Sequence, residues 1–150
     1  MDNLQLSPIA YGDETRFHQQ AVFLYDLLKE RDPVANISHK ALPPFFMHVQ
    51  FILSRPYHCW NLIEVKGIHE GMWAMPIGSV YLTKADEIGL FLAKPFQGQG
   101  YGRRVLNILF EAYPREMYLA NIAPRNEGSK RFFEGQGFRH IQNTYALERK

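Results

Sequence analysis

Three glycines alternate in the segment Gln97-Gly98-Gln99-Gly100-Tyr101-Gly102. Glycine adopts backbone angles denied to other residues and leaves nearby N–H groups unobstructed. The run ends where an amphipathic stretch begins, with Val105, Leu106, Leu109 and Ala112 at helical spacing. The first N–H groups of a helix lack intrahelical acceptors, and the aligned peptide dipoles give that end a partial positive charge. A glycine turn feeding a helix start is therefore a cradle for a phosphate or pyrophosphate. Arg103 and Arg104 add cationic charge in the first turn. A dinucleotide fold wants G-x-G-x-x-G, but from Gly100 and Gly102 the third position is Val105. A nucleotide P-loop wants Gly-Lys-Ser/Thr, which this segment does not carry. The phosphate belongs to another kind of ligand.

Other residues have chemistry to offer. His39, His48, His58 and His69 have side chains that titrate near neutrality. Asp86 and Glu87 form an acidic pair, and Tyr81, Tyr118 and Tyr145 carry phenols. Cys59 beside Trp60 reads as a small core residue. As the single cysteine it makes no internal disulfide, which fits a reducing compartment. No histidine and carboxylate spacing matches a metal site, so no metal is expected.

The elements that must position these groups follow from period and punctuation. A short strand is expected over Leu4 to Ala10. Asp13 or Thr15 caps a helix to about Lys29, with Phe17, Ala21, Leu24 and Leu28 on one face. Glu30 to Leu42 reads as a loop. Pro43-Pro44 starts a second helix, which Arg55-Pro56 stops after about Ser54. Strands are expected over Cys59 to Val65, Ile77 to Thr83 and Glu87 to Ala93, the last two joined by a Lys84-Ala85-Asp86 turn. A third helix covers Gly100 to Tyr113, a strand Glu116 to Ile122, a fourth helix Asn126 to Gly135, and strand material Phe138 to Leu147. Such mixing implies α+β or α/β layering around one sheet.

Composition bounds the reading. The chain has 150 residues, enough for one domain (1–150) with a proper core, and is 46% hydrophobic and 21% charged. A net charge of +2 without a basic stripe argues against a nucleic-acid partner. No apolar run of about 18 residues points to a membrane span, and Met1-Asp2-Asn3-Leu4 lacks the basic-then-apolar pattern of a secretory signal. A cytoplasmic setting is expected, with no membrane partner and a monomeric or homodimeric state.

The glycine turn and a second segment together resemble the GNAT superfamily of N-acetyltransferases. The family signature Gln/Arg-x-x-Gly-x-Gly/Ala is met by Gln97, Gly100 and Gly102. An asparagine followed by a helix ending in Gly-Phe is met by Asn126 to Gly137-Phe138. The resemblance is specific over Glu87 to Phe138 and weak over the first 80 or so residues. It implies an α+β (α/β layered) fold with a mixed, V-shaped central sheet flanked by about four helices. The sheet would open between Leu90 and Leu119, and acetyl-coenzyme A would lie in the split. The pyrophosphate would meet the Gln97, Gly98, Gln99, Gly100, Tyr101, Gly102 and Arg103 turn. The pantetheine arm would pair with the backbone of Leu90, Phe91 and Leu92. Asn126, Ser129, Lys130 and Phe133 would complete the cofactor side, with Asn126 bonding the arm.

The resemblance also implies attack of a neutral amine on a thioester, with a backbone N–H near Leu92 as oxyanion donor. Two positions depart from the family pattern. Phe133 stands where many members have a tyrosine acid, and Asn121 where some have a glutamate base. The acid is dispensable, because a thiol of pKa near about 8.5 already leaves tolerably as thiolate. Asp86 and Glu87 become the candidate bases, since other members use a carboxylate near there. His39 and Tyr57 fall in regions that shape the acceptor pocket. The partners implied are acetyl-coenzyme A and an amine acceptor, a small amine or amino sugar. A protein or peptide acceptor, and an acyl-coenzyme A sensor without turnover, stand as alternatives.

Overall fold

The computed structural model describes residues 3–31, 41–67 and 74–149. Four strands form one sheet in chain order: β1 (Asn3–Pro8), β2 (Cys59–Lys66), β3 (Met75–Leu82) and β4 (Ile88–Leu92). All three pairings are antiparallel, in registers such as Leu6 with Ile63, Asn61 with Val80 and Val80 with Leu90. Among the described residues, four α-helices flank the sheet: α1 (Glu14–Glu30), α2 (Phe45–Leu53), α3 (Tyr101–Ala112) and α4 (Glu127–Gly135). The α+β class expected from the sequence is observed.

Local chemistry accounts for the helix boundaries. Asp13 caps α1 by accepting the Arg16 N–H at 3.1 Å. α2 begins directly after Pro44 and turns into Arg55-Pro56. The sheet's two faces carry separate cores. On one, α3 and α4 bury Val105, Leu106, Leu109 and Phe133 against Ile63, Val80, Leu82 and Ile88. On the other, α1 and α2 bury Ala21, Leu24 and Ile52 against Ile9 and Leu62.

Two expected strands are corrected. Glu116 to Ile122 forms no strand; its one ladder contact is a parallel bridge between Leu119 and Glu87. Asn121 instead engages Glu87 through its side chain. Phe138 to Leu147 is irregular and joins no ladder among the described residues. Its strand-like apolar residues Ile141, Tyr145 and Leu147 stay exposed. The parallel bridge is thus the one described departure from an antiparallel sheet, and the opening expected beside β4 lies beyond it.

Candidate active site

The alternation of an antiparallel ladder decides which way each β4 peptide faces. The Thr83 N–H donates to Glu87 O at 2.8 Å and the Ala93 N–H to Ile77 O at 2.8 Å. Residues 87, 89, 91 and 93 therefore bond back toward β3. Ile88 faces the other way, its N–H donating to Leu119 O at 2.7 Å, while the Leu119 N–H donates to Asp86 O at 2.9 Å. No further bridge follows among the described residues, so Leu90 and Leu92 present their N–H groups to an open edge. Phe91 bonds β3 instead. Gln97 Nε2 donates to Leu92 O at 2.9 Å, fastening the glycine turn to the end of β4.

Gly98 and Gly100 have φ of +72° and +83°, a left-handed backbone that side-chain-bearing residues resist. A Cβ at either would meet nothing within 4 Å, so open space lies before α3. Gly100 is the N-cap of α3 and supplies no side-chain cap. The first intrahelical acceptance is by Gly100 O, from the Arg104 N–H at 3.5 Å, leaving the N–H groups of Gly102 and Arg103 pointing past the helix end. Gln99 donates to Pro95 O and braces the turn from within. Gly102 serves another purpose: a Cβ there would fall 2.9 Å from two ring atoms of Phe132 on α4. It permits close packing of α3 on α4.

On α4, Asn126 Oδ1 caps the helix by accepting the Ser129 N–H at 3.1 Å. Lys130 Nζ donates to Pro124 O at 2.6 Å and pairs with Glu127 at 3.2 Å, which ties it to its own helix start. Phe133 is buried, with the rings of Phe132 and Phe138 each 5.1 Å away in edge-on contact.

The opposite face of β4 carries a second group of side chains. Glu87, Gly89 and Phe91 alternate onto the side that α1 and α2 cover. Tyr81 on β3 pairs with Gly89, and its ring fills the space a Cβ at Gly89 would need. Tyr57 stacks flat on Tyr81 at 3.8 Å. Arg31, just past α1, lays its guanidinium over the Phe91 ring at 4.3 Å. Burial raises the Tyr57 phenol's pKa well above its ordinary value, and Tyr81 adds to that. Burial raises Tyr81 as well, against the opposing pull of the Tyr57 hydrogen bond and the Arg31 charge. Burial lowers the Arg31 value.

The two carboxylates proposed as bases differ. Asp86, at φ +62°, is held by Arg115 Nε at 2.9 Å, whose Nη2 also contacts His58 Nε2 at 3.1 Å. Glu87 is half-buried beside Tyr81 and accepts from Asn121 Nδ2 across the split. His39 lies outside the described residues. Tyr57 stands in the aromatic group, next to a cavity of about 290 Å³ also lined by Arg55, Cys59 and Asn61. Sequence reasoning missed the pairing of Arg31 with Phe91, because nothing local marks a contact 60 residues apart in the chain. Among the described residues no cluster of ligating side chains suits a metal ion, and no helix is long and apolar enough to cross a membrane.

Comparison with known proteins adds independent findings. The model of the acetyltransferase (GNAT) family matches residues 21–138. Comparison with curated protein sequences gives no match. A domain from Methanocaldococcus jannaschii is similar in structure at a TM-score of 0.74 and 17% identity, covering 96% of this chain and 93% of that one. An acetyltransferase from Thermus thermophilus gives 0.63 and 21%, covering 94% and 90%. A Salmonella typhimurium protein solved with its cofactor acetyl-CoA gives 0.58 and 13%, covering 92% and 79%. These likenesses bear on the fold.

Proposed function

The chain belongs to the acetyltransferase (GNAT) family, and on that premise we propose that it transfers the acetyl group of acetyl-coenzyme A to a primary amine of a small molecule, by direct attack. The observation that carries the reading is the open β4 edge ending in a glycine turn at the start of α3. The donors there fit the cofactor's shape: an extended amide arm along Leu90 and Leu92, then a pyrophosphate at the Gly98 to Arg103 N–H groups. The space before Gly98 and Gly100 leaves room for it. When bound, acetyl-coenzyme A supplies a thioester whose carbonyl carbon the amine attacks and whose thiolate leaves.

The chain's own residues do the rest. The outward N–H groups of Leu90 and Leu92 orient the arm, and Leu92 N–H is placed to stabilise negative charge on the carbonyl oxygen. Glu87 is the better base of the acidic pair, because Arg115 holds the Asp86 carboxylate and Asn121 steadies Glu87 at the split. It takes the proton that the amine sheds. Asn126 caps α4 and Gly102 lets it pack closely on α3, while Phe133, buried between the rings of Phe132 and Phe138, has no proton to donate. The turn is thereby held between β4 and α3, while amine and thioester meet at fixed distance. We read residues 1–150 as one such domain. The half-buried single thiol is in keeping with a reducing, cytoplasmic setting.

Release of free thiol from acetyl-coenzyme A across a panel of primary amines tests the reading. Amine-dependent release well above hydrolysis supports it. A protein that binds acetyl-coenzyme A and releases no thiol with any amine would instead be a cofactor sensor.

A further inference from the structure

The closed end of the split is gripped by the segment that follows α3. Three consecutive residues at the entry to β4 are each tied to it. Asp86 O accepts the Leu119 N–H at 2.9 Å, and the Asp86 carboxylate accepts from Arg115 Nε at 2.9 Å. Glu87 accepts from Asn121 Nδ2, two residues past the bridge at Leu119. The Ile88 N–H donates to Leu119 O at 2.7 Å. From the other side, Thr83 Oγ1 accepts the Glu87 N–H at 3.0 Å. Arg115 is itself built in. Its backbone N–H donates to the Tyr118 hydroxyl at 2.9 Å, which donates to Tyr113 O at 2.7 Å. Its Nη2 meets His58 Nε2 at 3.1 Å, just before β2. Arg115 thus joins the approach to β2, the β3–β4 turn and the segment after α3. Asp86, at φ +62°, sits in a left-handed backbone that side chains disfavour, and its carbonyl and carboxylate are both held.

Resting on the transferase reading with Glu87 as base, we propose that Asn121 and Arg115 are positioning residues: Asn121 aims the Glu87 carboxylate, and Arg115, through Asp86, holds the entry to β4 in register with residues 119–121. A general base acts only within hydrogen-bond reach of the proton it takes. A glutamate side chain left free spreads over many rotamers, so a fixed direction has to come from a partner. The Asn121 amide supplies one by donating to one Glu87 oxygen, which leaves the other for the amine. Being uncharged, it gives up no proton and competes for none. The charged and titratable groups around Glu87 among the described residues are the Tyr81 phenol on β3, Asp86 in the turn, and Arg115 with His58 behind it.

The test measures thiol release from acetyl-coenzyme A by the full chain with a panel of primary amines, with pH profiles and denaturant unfolding alongside. Glu87→Gln is expected to lower kcat about a hundredfold or more, the size of a positioned base. Asn121→Ala is expected to lower kcat about tenfold, with KM for acetyl-coenzyme A within about twofold of wild type. Asn121→Asp sets a like charge against Glu87 and disfavours its ionised form, so the acid limb of kcat/KM is expected to move up by about one pH unit. Arg115→Gln is expected to lower kcat about tenfold in the same way. Arg115→Lys keeps a charge for Asp86 but has no second nitrogen for His58, and is expected to recover part of the loss. Should Arg115→Gln fail to fold, Arg115→Lys and the two Asn121 variants carry the test. Full kcat in a folded Asn121→Ala or Arg115→Gln, or an unmoved limb in Asn121→Asp, overturns the proposal and leaves the transferase reading intact. Full activity in Glu87→Gln removes Glu87 as the base and the proposal with it. No amine-dependent release by the wild type removes the transferase reading itself, and the proposal falls with it.

Discussion

The two faces of the sheet are built on different terms. The face under α3 and α4 is a close fit of rings and backbone: Phe132 against Gly102, Phe133 between Phe132 and Phe138. The face under α1 and α2 buries polar groups among its rings, including Gln20 and His48. Gln20 is satisfied, its side chain exchanging hydrogen bonds with the Ala10 N–H at 2.8 Å and Pro8 O at 3.2 Å. His48 packs on Tyr25 at 5.2 Å, its buried Nε2 without a hydrogen-bond partner among the described residues. On the proposed reading, the first face positions the cofactor. On the same reading, the second face meets the acceptor.

The sharpest way to break the contrast is at Phe133. Phe133→Ala is expected to cost about 3–5 kcal/mol of stability, the usual size for emptying an aromatic core position. A loss under about 1 kcal/mol, measured by denaturant unfolding, would mean the α4 face is not tightly packed. Gly100→Trp comes next. It is expected to weaken acetyl-coenzyme A binding about a hundredfold, since the side chain would occupy the space before α3. Calorimetry with unchanged affinity would move the phosphate site elsewhere.

Gly102→Ala separates packing from binding. The added methyl meets the Phe132 ring, so a stability loss of about 1–3 kcal/mol is expected. If affinity falls while stability holds, Gly102 belongs to the cradle instead. The smallest effect concerns the other face. Burial lowers the His48 pKa from its ordinary 6.5, with a backbone hydrogen bond to Ala21 opposing. The unfolded chain therefore binds the proton more readily. The His48 contribution is full above about pH 6.5 and is lost as pH falls from there toward the folded value. His48→Leu is expected to flatten the fall in melting temperature between about pH 7 and 5. A variant with the same slope as wild type would show that His48 does not contribute to it.

The glycine turn and the helix after it were legible in the sequence because their signals are local. Gly98 and Gly100 need positive φ, and the α3 apolar positions recur every three or four residues, so a window of 15 residues contains turn and helix together. Asp13 likewise announced α1. The strand expected after α3 was less legible, because strand propensity in 116–122 does not say whether a neighbour's edge is in reach. Leu119 bridges Glu87 once and the ladder ends. Gly102 illustrates a different limit: motif spacing identified the glycine but not its reason, which is the Phe132 ring 30 residues downstream. Arg31 over Phe91 and Tyr57 on Tyr81 are contacts between distant segments, invisible to any periodicity.

Amide hydrogen exchange along β4, with and without acetyl-coenzyme A, tests the central claim most directly. Without ligand, Gly89 and Phe91 are expected to exchange slowly, bonded to β3, while Leu90 and Leu92 exchange faster at the open edge. Adding acetyl-coenzyme A is expected to slow Leu90 and Leu92 selectively. Protection of Leu90 and Leu92 in the free protein, or no change at either on adding the cofactor, would contradict the account.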